Sequence, residues 1–509
     1  MNIRKLYIAM LLISPACLAL SADEHNKNTS LTHVISDYRM SLAALPLDYS
    51  LQEKKQLPGV MLQRYILNSQ AWSPQGIVYP EYWQNGVDIY IPDSARGKHA
   101  LVVINNGSNN NGSGSPVAPT NFSEEELSRI AVATRTIVIA VSNVPNQVLS
   151  YQGVSTPLAE DHSVAYSWKL FIGDTQKYQN ASLHIPMAAS VSQAFRLAKK
   201  ELAQQNVTKF IVTGASKRGW AAWLTALSDP DVDAIIPVAF DLLNIKKSLE
   251  HMYQSYGKNW PVAFYPYYQQ NIDLQIDTDE FANLMTLEDP LTYLNTDMGD
   301  RLKMDKYIIN ASGDDFYVPD NSHFYYDRLP GRKSLRVVPN STHYDILSVT
   351  EQSLTTFVNR FQNGQKLPEI TEKIQSRGNG KKELEVSFSE KPEAVLQWTA
   401  RNPVARDFRY ACDVKYTSVP VSLTGGDDTL SIPLTPPNRG WQATYIEATF
   451  SDGYVATTQV YITPDEKYPE TAPPSAGATC KTLPGRGLTP ISANLRVEPS
   501  EECDASVPR

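Results

Sequence analysis

At 509 residues, with 42% hydrophobic and 20% charged residues and a formal net charge of -8, the chain exceeds a single core and has the composition of a globular protein. That balance excludes a membrane channel and a disordered chain. No run of Lys or Arg is dense enough to follow a phosphate backbone, so no nucleic acid partner is expected.

In chain order, Arg4 and Lys5 precede an apolar run from Leu6 to Leu20, and the small residues Ser21 and Ala22 follow. This predicts a signal peptide over 1–22, and hence an exported protein, periplasmic or secreted. No later segment is apolar enough to cross a bilayer, so no stable membrane span is expected after cleavage. Cleavage leaves Cys412, Cys480 and Cys503. An odd count predicts one disulfide and one free thiol. Cys480–Cys503 would pin the tail, and Cys412 with either tail cysteine is nearly as good a pairing. No Cys/His spacing suits zinc, and neither a metal nor an organic cofactor is expected.

From about residue 85, short β-rich runs alternate with helical periods, the pattern of a mostly parallel sheet covered on both faces. The predicted strands are 87–91, 101–104, 136–141, 210–213, 235–240, 307–309 and 335–338. Met187, Val191, Phe195 and Leu202 recur at helical spacing, and a last helix is predicted over 346–361. Between about 242 and 300 the pattern breaks into an aromatic-rich stretch, Tyr253, Tyr256, Trp260, Phe264, Tyr265, Tyr267 and Tyr268. It reads either as a cap roofing a cleft or as a helical packing layer. These elements place an α/β domain at 35–368.

Gly378-Asn379-Gly380 reads as a linker, and β-type alternation follows, with strands predicted at 384–388, 394–399, 410–416, 429–433, 442–450 and 454–462. Strands so closely spaced predict an immunoglobulin-like β-sandwich over 381–464, with Trp398 in its core. The Pro/Ser-rich tail, 465–509, is expected to be poorly ordered apart from any disulfide.

The chemistry centres on Gly214-Ala215-Ser216-Lys217-Arg218-Gly219, between the strand ending at Thr213 and the helix starting at Trp220. Strand, tight turn with serine at its apex, then helix is the context of a nucleophile elbow, although the second glycine arrives one residue late. An elbow serine needs a base, and in this fold the order is serine, acid, histidine. Of eight histidines only His343 follows the last predicted strand. His162, His251 and His323 read as surface or packing residues. The acid should follow the preceding strand, where Asp314 and Asp315 stand together, and either satisfies the spacing. The backbone N–H of Lys217 and that of Gly107 or Ser108, after an early strand, are the expected oxyanion-hole donors. The Lys217 side chain is a further candidate for that hole, which would favour acylated or uronyl sugars.

The elbow, together with Val144-Pro145-Asn146-Gln147, Glu160-Asp161, residues 313–320, Val338-Pro339-Asn340 and Ser69-Gln70-Ala71-Trp72, resembles the PhoPQ-activated pathogenicity-related protein family over roughly residues 40–465. The resemblance implies an α/β-hydrolase-like fold and supports this site, but implies no particular substrate.

The fold class expected is therefore α/β: an α/β-hydrolase doubly wound sheet with an inserted cap, plus a C-terminal immunoglobulin-like β-sandwich. The function expected is an exported serine hydrolase cleaving an ester or amide bond through an acyl-enzyme, with a small-molecule, carbohydrate or peptide substrate. The alternative is a non-catalytic protein of the same fold that binds a surface ligand or host peptide. Oligomeric state is open at this level.

Overall fold

A computed structural model describes residues 31–110, 116–378, 381–423, 428–475 and 477–488. The predicted signal peptide, most of the Gly-Asn-Gly linker, Cys503 and the end of the tail lie outside the described residues.

A nine-stranded mixed sheet organises the chain: β1 (Asp48–Leu57), β2 (Val60–Ala71), β3 (Tyr82–Pro92), β4 (Arg96–Ile104), β5 (Thr136–Val141), β6 (Val207–Ala215), β7 (Val232–Val238), β8 (Asp305–Ala311) and β9 (Lys333–Val338). Their order is β1-β2-β3-β5-β4-β6-β7-β8-β9. The first three strands pair antiparallel and β3 is antiparallel to β5, whereas every pairing from β5 to β9 is parallel. Parallel strands need crossovers, and helices supply them on both faces. In β4, Ala100, Val102 and Ile104 face one core with helices α3 (His184–Glu201) and α4 (Lys217–Ser228). Leu101 and Val103 face the other, with α1 (Glu124–Thr134) and α7 (Thr350–Gln362).

Each predicted strand of this sheet is present: 136–141 as expected, 235–240 shifted to Val232–Val238, and the others lengthened by two to several residues. The β1–β2 hairpin was not expected. β1 reads Asp-Tyr-Ser-Leu-Gln-Glu-Lys-Lys-Gln-Leu and is exposed along almost its whole length, so it carries no buried alternation to betray it. It is a charged edge strand, the kind that resists pairing with another chain.

The aromatic-rich stretch folds into α5 (Ile245–Ser255), α6 (Asp279–Glu288) and short turns. Tyr253, Tyr256, Trp260, Phe264 and Tyr267 are buried, with Tyr265 and Tyr268 packed partly exposed against them, so most of these rings form a packing layer.

Beyond residue 369 the chain forms two small antiparallel sheets. One contains β10 (Ile370–Ser376), β11 (Lys382–Phe388) and β14 (Thr429–Leu434). The other contains β12 (Ala394–Asn402), β13 (Thr417–Pro420), β15 (Trp441–Thr449), β16 (Val455–Thr457) and β17 (Tyr461–Thr463). Two sheets are what the structure supports here, not an immunoglobulin-like topology as such. The strand expected at 410–416 is instead a short helical turn at Tyr410–Cys412, with the strand following it, and 454–462 divides into two. Trp398 is only partly buried, and Trp441 and Tyr445 take the core position instead.

This region is not a separate core. Leu384, Val386, Ile432 and Ile446 share a cluster with Ile309 and Phe357 of the large sheet and its helix. Nor is the first part of the tail loose. Cys480 bonds to Cys412, 68 residues away, and Thr482–Leu483 pairs with Trp260–Pro261. The pairing of Cys480 with Cys503 is thereby excluded.

Candidate active site

The carboxyl ends of β6, β8 and β9 lie along one edge of the parallel sheet, where doubly wound folds place their ligands. Ser216 follows β6 and immediately precedes α4, with φ 58 and ψ -128. A non-glycine residue in that region of backbone space is strained, and such strain clusters at functional positions. Neighbouring backbone holds it there: Ser216 N–H donates to Val238 O at 2.8 Å, and Trp220 N–H to Ser216 O at 3.0 Å. The glycines explain the unusual spacing of the motif. A Cβ on Gly214 would meet Arg218 O at 2.6 Å, and one on Gly219 would stand 3.0 Å from both Gly214 O and Val238 O. Gly219 is thus where α4 crosses β6 and β7, and close approach requires it at that step.

His343 is 5% exposed and its Nδ1 lies 2.9 Å and 3.1 Å from the two carboxylate oxygens of Asp314, itself 3% exposed. Asp314 Oδ1 also accepts N–H bonds from Phe316 and Tyr317, which fix the carboxylate before the histidine reaches it. The Phe316 ring packs on the imidazole with centroids 4.5 Å apart. Of the two adjacent aspartates, the structure brings Asp314 to His343. Asp315 makes no such bond; burial first, and then neighbouring Asp314, push its carboxyl up to about 6. The Ser216 hydroxyl, partly exposed, is not hydrogen-bonded to the imidazole among the described residues. In unliganded sites that contact is often long and tightens around substrate. Tyr344, 58% exposed, lies within electrostatic reach of Lys217, Asp161, Asp315 and Asp314.

The expected oxyanion donors divide. Ser108 N–H is taken by Val117 O at 3.0 Å, and its hydroxyl by the carbonyls of Asn110 and Gln147, so Ser108 is not a spare donor. Gly107 N–H makes no hydrogen bond among the described residues and remains the candidate on that loop. Gly107 has φ 108, a conformation glycine adopts freely. The Lys217 side chain is not free to help: its Nζ is held by Glu160 at 2.7 Å and Asp161 at 3.0 Å. Burial opposes the charge on Lys217, but Asp161 and Glu160 outweigh it and raise its pKa above the ordinary lysine value.

Sequence reasoning did not place Gln147, Glu160, Asp161 and Arg218 at the site. Glu160 opens α2 (Glu160–Gly173), and its carboxylate also accepts Arg218 Nη2 at 2.7 Å. Burial works against the Glu160 charge, yet Arg218 and Lys217 hold its pKa well below the usual carboxylate range. Tyr267 O–H donates to Asp161 at 3.2 Å, so one aromatic of the packing layer does reach this network. The signal lay in the segments shared with the family, but nothing in their spacing aims them at residue 216. Among the described residues, the one grouping of metal-ligand type is Asp407 with Cys412 and Cys480, whose sulfurs are joined in the disulfide.

Strand order, a serine elbow after β6, an acid after β8 and a histidine after β9 define a protein of the α/β-hydrolase class. Within that class the chain belongs to the PhoPQ-activated pathogenicity-related protein family, whose model matches residues 35–409. It is similar to autocrine proliferation repressor protein A of Dictyostelium discoideum, 27% identical over 408 residues, which are 75% of this chain and 79% of that protein. Among solved structures it is similar to an acetyl xylan esterase from Paenibacillus sp. R4, with 15% identity, TM-score 0.43, and coverage of 64% of this chain and 93% of that one. It is also similar to a glucuronoyl esterase from Solibacter usitatus, with 10% identity, TM-score 0.38, and coverage of 64% and 91%.

Proposed function

We propose that the protein is an exported serine hydrolase that cleaves an ester or amide bond through an acyl-enzyme. The observation that carries this reading is the strained Ser216 backbone at the strand–helix elbow, on the same sheet edge as a buried His343–Asp314 pair. In the proposed reaction Ser216 Oγ attacks the carbonyl carbon while His343 Nε2 takes its proton, and the imidazolium then protonates the leaving group. Water enters by the same route in reverse. Asp314 orients the ring and stabilises its charged form. The N–H groups of Lys217 and Gly107 receive the oxyanion, with the amino terminus of α4 adding its dipole. Export is supported by the basic and then apolar N-terminal sequence, and the Cys412–Cys480 disulfide suits an oxidising compartment.

The test is labelling by a fluorophosphonate probe. Wild type should label, and Ser216→Ala should abolish both labelling and hydrolysis while leaving the melting temperature close to wild type. Labelling that survives the substitution would place the nucleophile elsewhere. A folded wild type that never labels would favour the non-catalytic binding protein.

A further inference from the structure

We infer that Glu160 and Gln147 are positioning residues that set the spacing between the two oxyanion donors, an inference that rests on the hydrolase reading. The two donors belong to segments distant in sequence: Lys217 on the elbow and Gly107 on the loop after β4. Backbone bonds tie Asn105 to Val141, Asn106 to Asn143 and Ser108 to Val117, but none of them joins this loop to the elbow. A side-chain bridge does. Glu160 grips the elbow segment twice, Oε2 through Lys217 Nζ and Oε1 through Arg218 Nη2, both at 2.7 Å. Gln147 Nε2 donates to Glu160 Oε1 at 2.7 Å and to Gly107 O at 3.2 Å. The amide is gripped from its other end as well, since Glu160 N–H donates to Gln147 Oε1 at 3.0 Å. Gln147 O accepts the Ser108 hydroxyl at 2.7 Å, a second tie to the same loop. The path Lys217–Glu160–Gln147–Gly107 therefore runs from one donor residue to the other entirely through hydrogen bonds and an ion pair.

Two features separate this from a simple counter-ion for Arg218. Glu160 has φ 50, a conformation unfavourable for a residue with a Cβ, and it is held there by the reciprocal Gln147 pair. In addition, Arg218 Nε donates to Val144 O at 2.6 Å, which brings the segment bearing Gln147 against the elbow independently of Glu160. The arrangement fixes where an oxyanion sits without contributing a reactive group, and preorganisation of this kind is worth most when the donors do not move during reaction.

The test uses the full-length protein and two variants. Gln147→Leu cuts the arm to Gly107 while leaving the ion pairs of Glu160 intact, and Glu160→Gln weakens the grip on the elbow. With p-nitrophenyl acetate as probe, each should lower kcat by about 10- to 100-fold, with KM within about twofold. The double variant should fall little further than the worse single one, because both cut one path. Hydrogen exchange supplies a readout that does not need activity: amides 104–110 and 217–219 should exchange faster together in each folded variant. Wild-type kcat and wild-type exchange in Gln147→Leu would overturn the bridge. If wild type is never labelled at Ser216, the hydrolase reading fails separately; coupled exchange of the two segments then still upholds the bridge, and independent exchange overturns it.

Discussion

Asp314 and Asp315 are neighbours in the chain with opposite surroundings, and only Asp314 meets His343. Asp314 is enclosed, accepts two backbone N–H groups and faces His343 Nδ1; Asp315 is partly exposed, and its Oδ1 has no partner. Asp314→Asn should cost about a thousandfold or more in the rate of probe inactivation, since an amide in that place favours the wrong imidazole tautomer. Asp315→Asn should be mild at neutral pH. The stability sign runs the other way from an ordinary ion pair. The folded carboxyl titrates at about 6, above its unfolded value, so its contribution is full at low pH and is lost as pH rises through about 6. Asp315→Asn should therefore gain stability relative to wild type above that pH and not below pH 4. Thermal melts across this range check the sign, and a variant equally affected at all pH values would remove Asp315 from the vicinity of the titrating site.

The elbow shows which elements could be read from the chain and which could not. The placement of Ser216 and His343 at the sheet edge was legible because each follows a buried strand whose apolar run is unmistakable. The same logic narrowed the acid to two residues but could not choose, because adjacent residues share an element and differ only in the direction they face. The β1–β2 hairpin was illegible for the opposite reason: its outer strand buries almost nothing and leaves no periodic pattern. Glu160 was out of reach because ion pairs between α2 and α4 depend on how two crossovers pack. The late glycine at 219 became intelligible only with the packing in view. Gly214→Ala should accordingly force the first turn of α4 away from β6, at about 1–3 kcal/mol for overpacking against backbone. Labelling at Ser216 should fall by more than the loss of folded protein explains. Gly173→Ala, where a Cβ meets nothing within 4 Å, is the control and should leave both melting temperature and labelling near wild type.

At the scale of the whole molecule, the C-terminal region and the large sheet share one core cluster. The loop that carries the acid is braced from behind by that region. A Cβ on Gly313 would lie 2.6 Å from the backbone N of Tyr410, and Tyr410 N–H donates to Gly313 O at 3.1 Å. Arg406 pairs with Asp320 at the far end of the same loop, and Asp320 also holds His251 of α5. The guanidinium of Arg409 is buried against Asp407 and the carbonyls of 479–481, and the disulfide from Cys412 to Cys480 closes this bracket over the aromatic layer. A chain ending near Gly378 would strip the apolar partners of Ile309 and Phe357 and remove the contacts made by Arg406, Arg409, Tyr410 and the disulfide, so it should be insoluble or unlabelled rather than active. Removing the disulfide by substitution is the gentler experiment. Closing a loop of this length removes about 4 kcal/mol of chain entropy from the unfolded state, so Cys412→Ser with Cys480→Ser should lower the melting temperature markedly. The acid loop should loosen before the sheet does. Hydrogen exchange in 312–320 should rise in the double serine variant while β6 and β7 stay protected, with labelling slowed in step. A truncated protein that folds and labels at the wild-type rate would show instead that the acid loop holds its own shape and that the bracket stabilises only the tail.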